Sequence, residues 1–178
     1  EHFFDGYREN PAYALEAVRT AAEAGAEVVV LCDTNGGMLP PWIGEIVTAA
    51  SEIGVPLGIH THNDTGCAVA NTLAAVDAGV MHVQGTVNGY EERTGNAELL
   101  SIVANLELKY GWPLLPAGSL REATRLAHAI AEVTNVPPSA RQPYVGLSSF
   151  AHKAGLHASA IKVDPNLYQH IDPAIVGN

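Results

Sequence analysis

One unit recurs along the first two thirds of the chain and constrains its fold more than any other feature. It is an Ala-rich stretch of helical character, a Gly, and then a short β-rich run that ends in polar residues. Three copies are present: Ala21-Ala22-Glu23-Ala24-Gly25 leads to Val28–Leu31 and Asp33-Thr34; Ala49-Ala50 leads through Gly54 to Pro56–Ile59 and His60-Thr61-His62-Asn63-Asp64; Ala74–Gly79 leads to His82–Val87, Asn88 and Glu91-Glu92-Arg93. A Gly just past each helix supplies the left-handed exit that side chains with a Cβ adopt only with strain. Asn10 and Pro11 predict the N-cap and first position of the first helix, with Ala14, Val18 and Ala21 at helical spacing.

Helices alternating with short, largely apolar strands predict βαβ units and a parallel sheet covered by helices. Such a sheet is either doubly wound or part of a (β/α)8 barrel. The first concentrates its site at one Gly-rich turn, whereas the second spreads functional residues over many strand ends. Every predicted strand here ends in polar residues and no GxGxxG follows one, which favours the barrel. A complete barrel takes about 250 residues, and strands near Glu1, Val28, Leu57 and Val83 amount to half of one at most. Residues 1–110, closing with a helix over 97–109, are read as a partial TIM-barrel catalytic domain. The Gly- and Pro-rich stretch 111–118 is read as a linker, and 119–178 as an appended helical and loop subdomain, incomplete at its C-terminus. Within it, helices are expected over 120–133 and 148–161.

Composition narrows the function classes. At 178 residues, 47% hydrophobic and 16% charged, with mean hydropathy +0.09, the chain is neither a stapled mini-protein nor disordered. Nineteen acidic against nine scattered basic residues, a net charge of −10, argue against nucleic acid or an anionic membrane as partner. Cys32 and Cys67 form no CxxC pair, so neither a disulfide framework nor a thiolate zinc site is indicated, and a reducing cytoplasm is expected. No run approaches the roughly 18 apolar residues of a membrane span, and no signal peptide precedes Glu1. The chain opens on Glu-His-Phe-Phe without an initiator Met and is read as a piece of a longer protein.

His60-Thr61-His62 carries the sharpest chemical signal. A spacing of two at a strand end puts both imidazoles on one face, able to converge on one cation; the alternative is two polar residues with no metal. Amidohydrolases also use HxH on a barrel strand. Asn96 offers an oxygen ligand from a neighbouring loop or simply caps a helix. Asp33 and Thr34 bind substrate or cap the following loop, and Glu92 with Arg93 is a solvated ion pair or an orienting pair beside the site. Glu1 stands where barrel acids and bases sit, or frays as a terminal residue. His152 and His157 flank a Gly in a turn that otherwise packs on the barrel.

Six segments in one order carry a resemblance to a known family: Glu1–Gly6, Cys32–Gly37, His60–Asp64, Gly89–Asn96, Phe150–His157, and Tyr168–Pro173 with Val176-Gly177-Asn178. Together they resemble the acyl-CoA-condensing branch of the divalent-metal barrel superfamily, which holds 2-isopropylmalate, homocitrate and citramalate synthases and related lyases. Phe3–Tyr7, Leu31–Gly37 and Gln142–Gly146 look most like the citramalate-forming members. The resemblance implies that the strands are about the fifth to eighth of a barrel, and that His60, His62 and Asn96 bind a divalent cation, Mn2+, Mg2+, Zn2+ or Co2+. It implies substrate contact at Thr34, with Asp33 beside it, an acid at Glu1, a supporting acid at Glu92 next to Arg93, and proton transfer assisted by His157 and Tyr168. In the family these last two reach the barrel of a neighbouring subunit, which implies a homodimer with exchanged subdomains. The implied reaction is condensation of acetyl-CoA with a 2-oxo acid, pyruvate favoured, to (R)-citramalate in isoleucine biosynthesis. 2-Isopropylmalate synthase, homocitrate synthase and a hydroxymethylglutaryl-CoA-lyase-like reaction are the alternatives. The family's remaining ligand Asp and its neighbouring substrate Arg match nothing in this chain, so the chain alone is expected to be inactive. Tyr90 and Thr94 depart from the family's pattern next to the Glu-Arg pair and Asn96.

Overall fold

Phe3, Phe4 and Tyr7 set the start of the fold. Their spacing puts three rings on one helical face, with Phe3 edge-on to Phe4 at 5.4 Å and tilted to Tyr7 at 5.6 Å. The computed structural model describes residues 2–178 and forms helix α1 there, Phe3–Glu9. Asn10 and Pro11 do open a helix, but it is the second: α2 spans Pro11–Glu23, and Asn10 Oδ1 accepts from the Tyr13 amide. The expectation that it is the first missed α1, because two adjacent Phe read as well for a strand as for a helix.

The chain divides into two compact units, Glu1–Ile102 and Val103–Asn178. In the first, β1 (Val29–Asp33), α3 (Pro40–Ser51), β2 (Leu57–Thr61), α4 (Ala68–Asp77) and β3 (His82–Gln84) follow α2. The strands form a parallel sheet in the order β1-β2-β3, with Cys32 opposite His60 and Asp33 opposite Thr61. Each copy of the repeat therefore gives a helix, a reversal and a strand. The reversals at Gly25, Gly54 and Gly79 have φ of +96°, +87° and +101°. Val29, Leu31, Leu57 and Ile59 face the helices, where they join Phe3, Phe4, Val18, Ile43, Val47 and Ala75 in one buried core. Val30, Cys32, Gly58 and His60 alternate onto the other face.

After β3 the chain makes a 3-10 turn over Val87–Gly89 and returns along the strand ends before α5, Leu99–Leu108. The helix expected over 97–109 starts later because Ala97 is committed elsewhere: its amide donates to Thr61 O and its carbonyl accepts from the Thr86 amide. Glu98 opens α5 instead, its carboxylate accepting from the amides of Leu100 and Ser101 and from Ser101 Oγ.

The second unit continues α5 and adds a 3-10 turn (Ser119–Glu122), α6 (Ala123–Thr134) and α7 (Gly155–Ile161). The helix expected over 120–133 thus has a 3-10 first turn, and it exits through Asn135 in the left-handed region, φ +55°. Of the expected 148–161 helix only the part from Gly155 forms. Residues before it are held in turns, with the Ser148 amide on Ala140 O and Ser149 Oγ on Gln142 O. The tail folds back within this unit: Thr124 Oγ1 donates to Val176 O at 2.8 Å, and Asn178 Nδ2 donates to the carbonyls of Tyr144 and Gly146. Among the described residues no helix is long and apolar enough to cross a membrane.

Candidate functional site

The polar strand ends of the first unit collect at one edge of the sheet, the C-terminal edge. His60 is on β2 and His62 follows it, and the spacing brings the two imidazoles together edge to face, ring centroids 5.2 Å apart. Asn96 comes from the returning segment, which pairs with His62 through an isolated antiparallel bridge. The Asn63 amide donates to Gly95 O at 2.8 Å, and the Asn96 amide to Gly89 O at 3.1 Å. Asn96 caps no helix, and that alternative falls away.

Two atoms of this trio are buried without a hydrogen-bond partner, His60 Nδ1 and Asn96 Oδ1. Asn96 itself is only 4% exposed. A buried polar atom left unpaired costs about 1–3 kcal/mol, and a cation satisfies an imidazole nitrogen and an amide oxygen alike, so these residues fit a divalent metal. Burial holds the His60 imidazole below its usual pKa, and the neighbouring His62 adds to this. Neutral imidazole is the form that binds metal. No group of three or more His, Cys, Asp or Glu gathers among the described residues.

Thr34 lies in the bend directly after β1. Asp33, the last residue of β1, pairs with Thr61, whose hydroxyl bonds the α4 residues Ala68 and Thr72, so Asp33 lies on the helix-covered face, 1% exposed. Its Oδ2 accepts from the Met38 amide at 3.3 Å, and burial raises its carboxyl above the usual range against that bond. Through this bond Asp33 caps the loop that follows β1.

Arg93 is held chiefly by an acid other than its neighbour Glu92. Its guanidinium grips Asp64 at both oxygens, Nε to Oδ1 at 2.9 Å and a terminal nitrogen to Oδ2 at 3.0 Å. That terminal nitrogen also reaches Thr34 O at 2.9 Å and His62 Nδ1 at 3.2 Å. Glu92 is a looser partner, its carboxylate 3.6 Å from the other terminal nitrogen of Arg93 and its side chain 73% exposed. Asp64 holds Arg93 more firmly protonated, and Arg93 lowers the pKa of Asp64. Sequence reasoning missed Asp64 as a partner because the two lie far apart along the chain; its place directly after the HxH run was the available signal.

Glu1 lies outside the described residues. His157 and Tyr168 belong to the second unit, where their rings stack with centroids 4.0 Å apart and His152 stands 6.3 Å from Tyr168.

Comparison with known proteins gives this arrangement a context. Over 179 residues the chain is 71% identical to an (R)-citramalate synthase of Streptomyces coelicolor, an alignment covering 100% of the chain and 34% of that protein. It is 52% identical to an (R)-citramalate synthase of Aquifex aeolicus, with the same 100% and 34% coverage. The chain therefore spans about a third of the length of these curated relatives. Among solved structures, the carboxyl transferase domain of Rhizobium etli pyruvate carboxylase with pyruvate and biocytin superposes with a TM-score of 0.60 at 29% identity, covering 70% of this chain and 20% of that one. The HMGL-like family matches residues 3–130, the span that holds the parallel sheet and every polar strand end described above, and the chain belongs to that family.

Proposed function

We propose that the protein carrying this chain condenses acetyl-CoA with pyruvate, giving (R)-citramalate and CoA, with a divalent cation on His60, His62 and Asn96. The observation that carries the reading is this trio, with His60 Nδ1 and Asn96 Oδ1 buried and unpartnered, in a chain 71% identical to a curated (R)-citramalate synthase. The parallel sheet is read as the last strands of a (β/α)8 barrel. Active sites of such barrels lie at the C-terminal strand ends, where His60, His62, Asn96 and Thr34 are found.

When bound, a divalent cation supplies Lewis-acid polarisation of a 2-oxo acid's keto group. The chain's own residues supply the rest. His60 and His62 present imidazole lone pairs and Asn96 an amide oxygen, and Thr34 offers its hydroxyl to the 2-oxo acid. A base drawn from Glu1, His157 and Tyr168 takes a methyl proton from acetyl-CoA. The released electron pair forms the new bond to C2 of pyruvate, the keto oxygen gains a proton, and water cleaves the thioester to free CoA. A cytoplasmic homodimer in which the subdomain with His157 and Tyr168 serves the neighbouring barrel completes the proposal.

The test is CoA release by the full-length protein with acetyl-CoA and Mn2+ or Mg2+, offered pyruvate, 2-oxoisovalerate or 2-oxoglutarate in parallel. Pyruvate is expected to give the highest kcat/KM, and His60→Ala to abolish release. Preference for a larger acid transfers the reading to 2-isopropylmalate or homocitrate synthesis. No release with any acid, but cleavage of a hydroxyacyl-CoA, transfers it to a lyase.

A further inference from the structure

Arg93 is hydrogen-bonded to the trio, and it stands where a metal ligand's lone pair is needed. Its terminal nitrogen lies 3.2 Å from His62 Nδ1. A guanidinium has donors and no acceptor, so a hydrogen bond here uses the Nδ1 lone pair, in competition with Asp64 Oδ2 and Thr34 O for two N–H groups. A cation drawing on either nitrogen of His62 requires the guanidinium to yield that contact. At Nδ1 both need the same lone pair, and at Nε2 the ring proton moves to Nδ1 and faces a donor. Arg93 also places a full positive charge beside any cation on His62.

What answers both problems is Asp64. Its carboxylate takes the guanidinium at both oxygens, the planar paired geometry in which Arg is held most specifically. The Arg93 backbone is in the left-handed region, φ +56°, so the side chain is delivered to Asp64 at some conformational cost. Asp64 is itself seated against the backbone of Gly36, where a Cβ would stand 2.2 Å from Asp64 Oδ2.

We propose that Asp64 is a positioning residue for the cation site: it anchors Arg93 and cancels its charge, so that His62 can pass from the guanidinium to a divalent cation. This rests on the proposed function, in which His62 is a ligand.

The experiment uses the full-length protein labelled with 15N-histidine. It reads the ring-nitrogen shifts of His62 by NMR without added metal, and Mg2+ affinity by calorimetry, in wild type, Asp64→Asn, Arg93→Gln and the double variant. Asp64→Asn is expected to move the His62 shifts and to weaken Mg2+ by roughly 10- to 100-fold, the range for residues that support metal ligands. Arg93→Gln in the Asp64→Asn background is expected to recover most of that loss, which a merely structural role for Asp64 would not produce. Thermal midpoints should move little, since exposed ion pairs contribute little to stability. Unchanged shifts and affinity in Asp64→Asn overturn the proposal, as does a double variant no tighter than Asp64→Asn. If Asp64→Asn does not fold, Arg93→Gln decides: Mg2+ binding weaker than wild type overturns the proposal, and equal or tighter binding supports it. If wild type takes no Mg2+, the metal-dependent function fails, while the His62 shifts still judge the anchor: a shift in Asp64→Asn supports it and none overturns it.

Discussion

Asp33 carries a charge in a place that resists it. Its carboxyl is buried beneath the helices, one oxygen serving the Met38 amide and the other without a partner. Burial raises its pKa in the folded state above the value it has in the unfolded chain. In the pH window between those two values the folded protein binds more protons, so stability falls as pH rises through it. The thermal midpoint of wild type is expected to decline through that window more steeply than that of Asp33→Asn, whatever offset the substitution introduces. Parallel curves would show that Asp33 is not the titrating group. This residue also marks how far the site was legible. The HxH spacing sufficed for His60 and His62, because strand alternation fixes which way neighbouring side chains point. Alternation also turns Asp33 away from them, which is legible only once the strand's register is known. Asp64 and Arg93 meet across 29 residues of sequence separation, and no local spacing encodes that.

At the level of elements, the helix–Gly–strand repeat was the most legible feature, since it needs only local rules: an apolar face, a left-handed exit, an apolar strand. Gly79 tests it cleanly. Its φ is +101°, and a Cβ there would meet nothing within 4 Å. Gly79→Ala therefore measures backbone strain without a clash, expected to cost roughly 1–2 kcal/mol, read as a lower denaturant midpoint at unchanged slope. An unchanged midpoint would mean the reversal after α4 relaxes to ordinary φ. What local rules missed were the elements decided by distant partners. α1 forms where its rings enter the core, and α5 starts late because Ala97 is bonded to Thr61 and Thr86.

In the whole molecule, β1 and β3 are the outer strands of the parallel sheet among the described residues. Exposed strand edges invite pairing with other chains. The 178-residue chain expressed alone is thus expected to form species larger than a dimer on size exclusion and to bind a hydrophobic dye, whereas the full-length protein should elute as a dimer and bind none. A dye-silent monomer from the isolated chain would contradict this.

The segment that brings Asn96 to His60 and His62 is stitched to the strands on both sides, to Thr61 through Ala97, to Asn63 through Gly95 and to Thr86 through Ala97 and Leu99. The amide oxygen consequently rides on an extension of the sheet and not on a free loop. Freedom that a loop would surrender on capturing a guest has been surrendered already, when the sheet formed. The proposed chelate is therefore pre-organised, and the entropy of assembling it belongs to folding and not to binding.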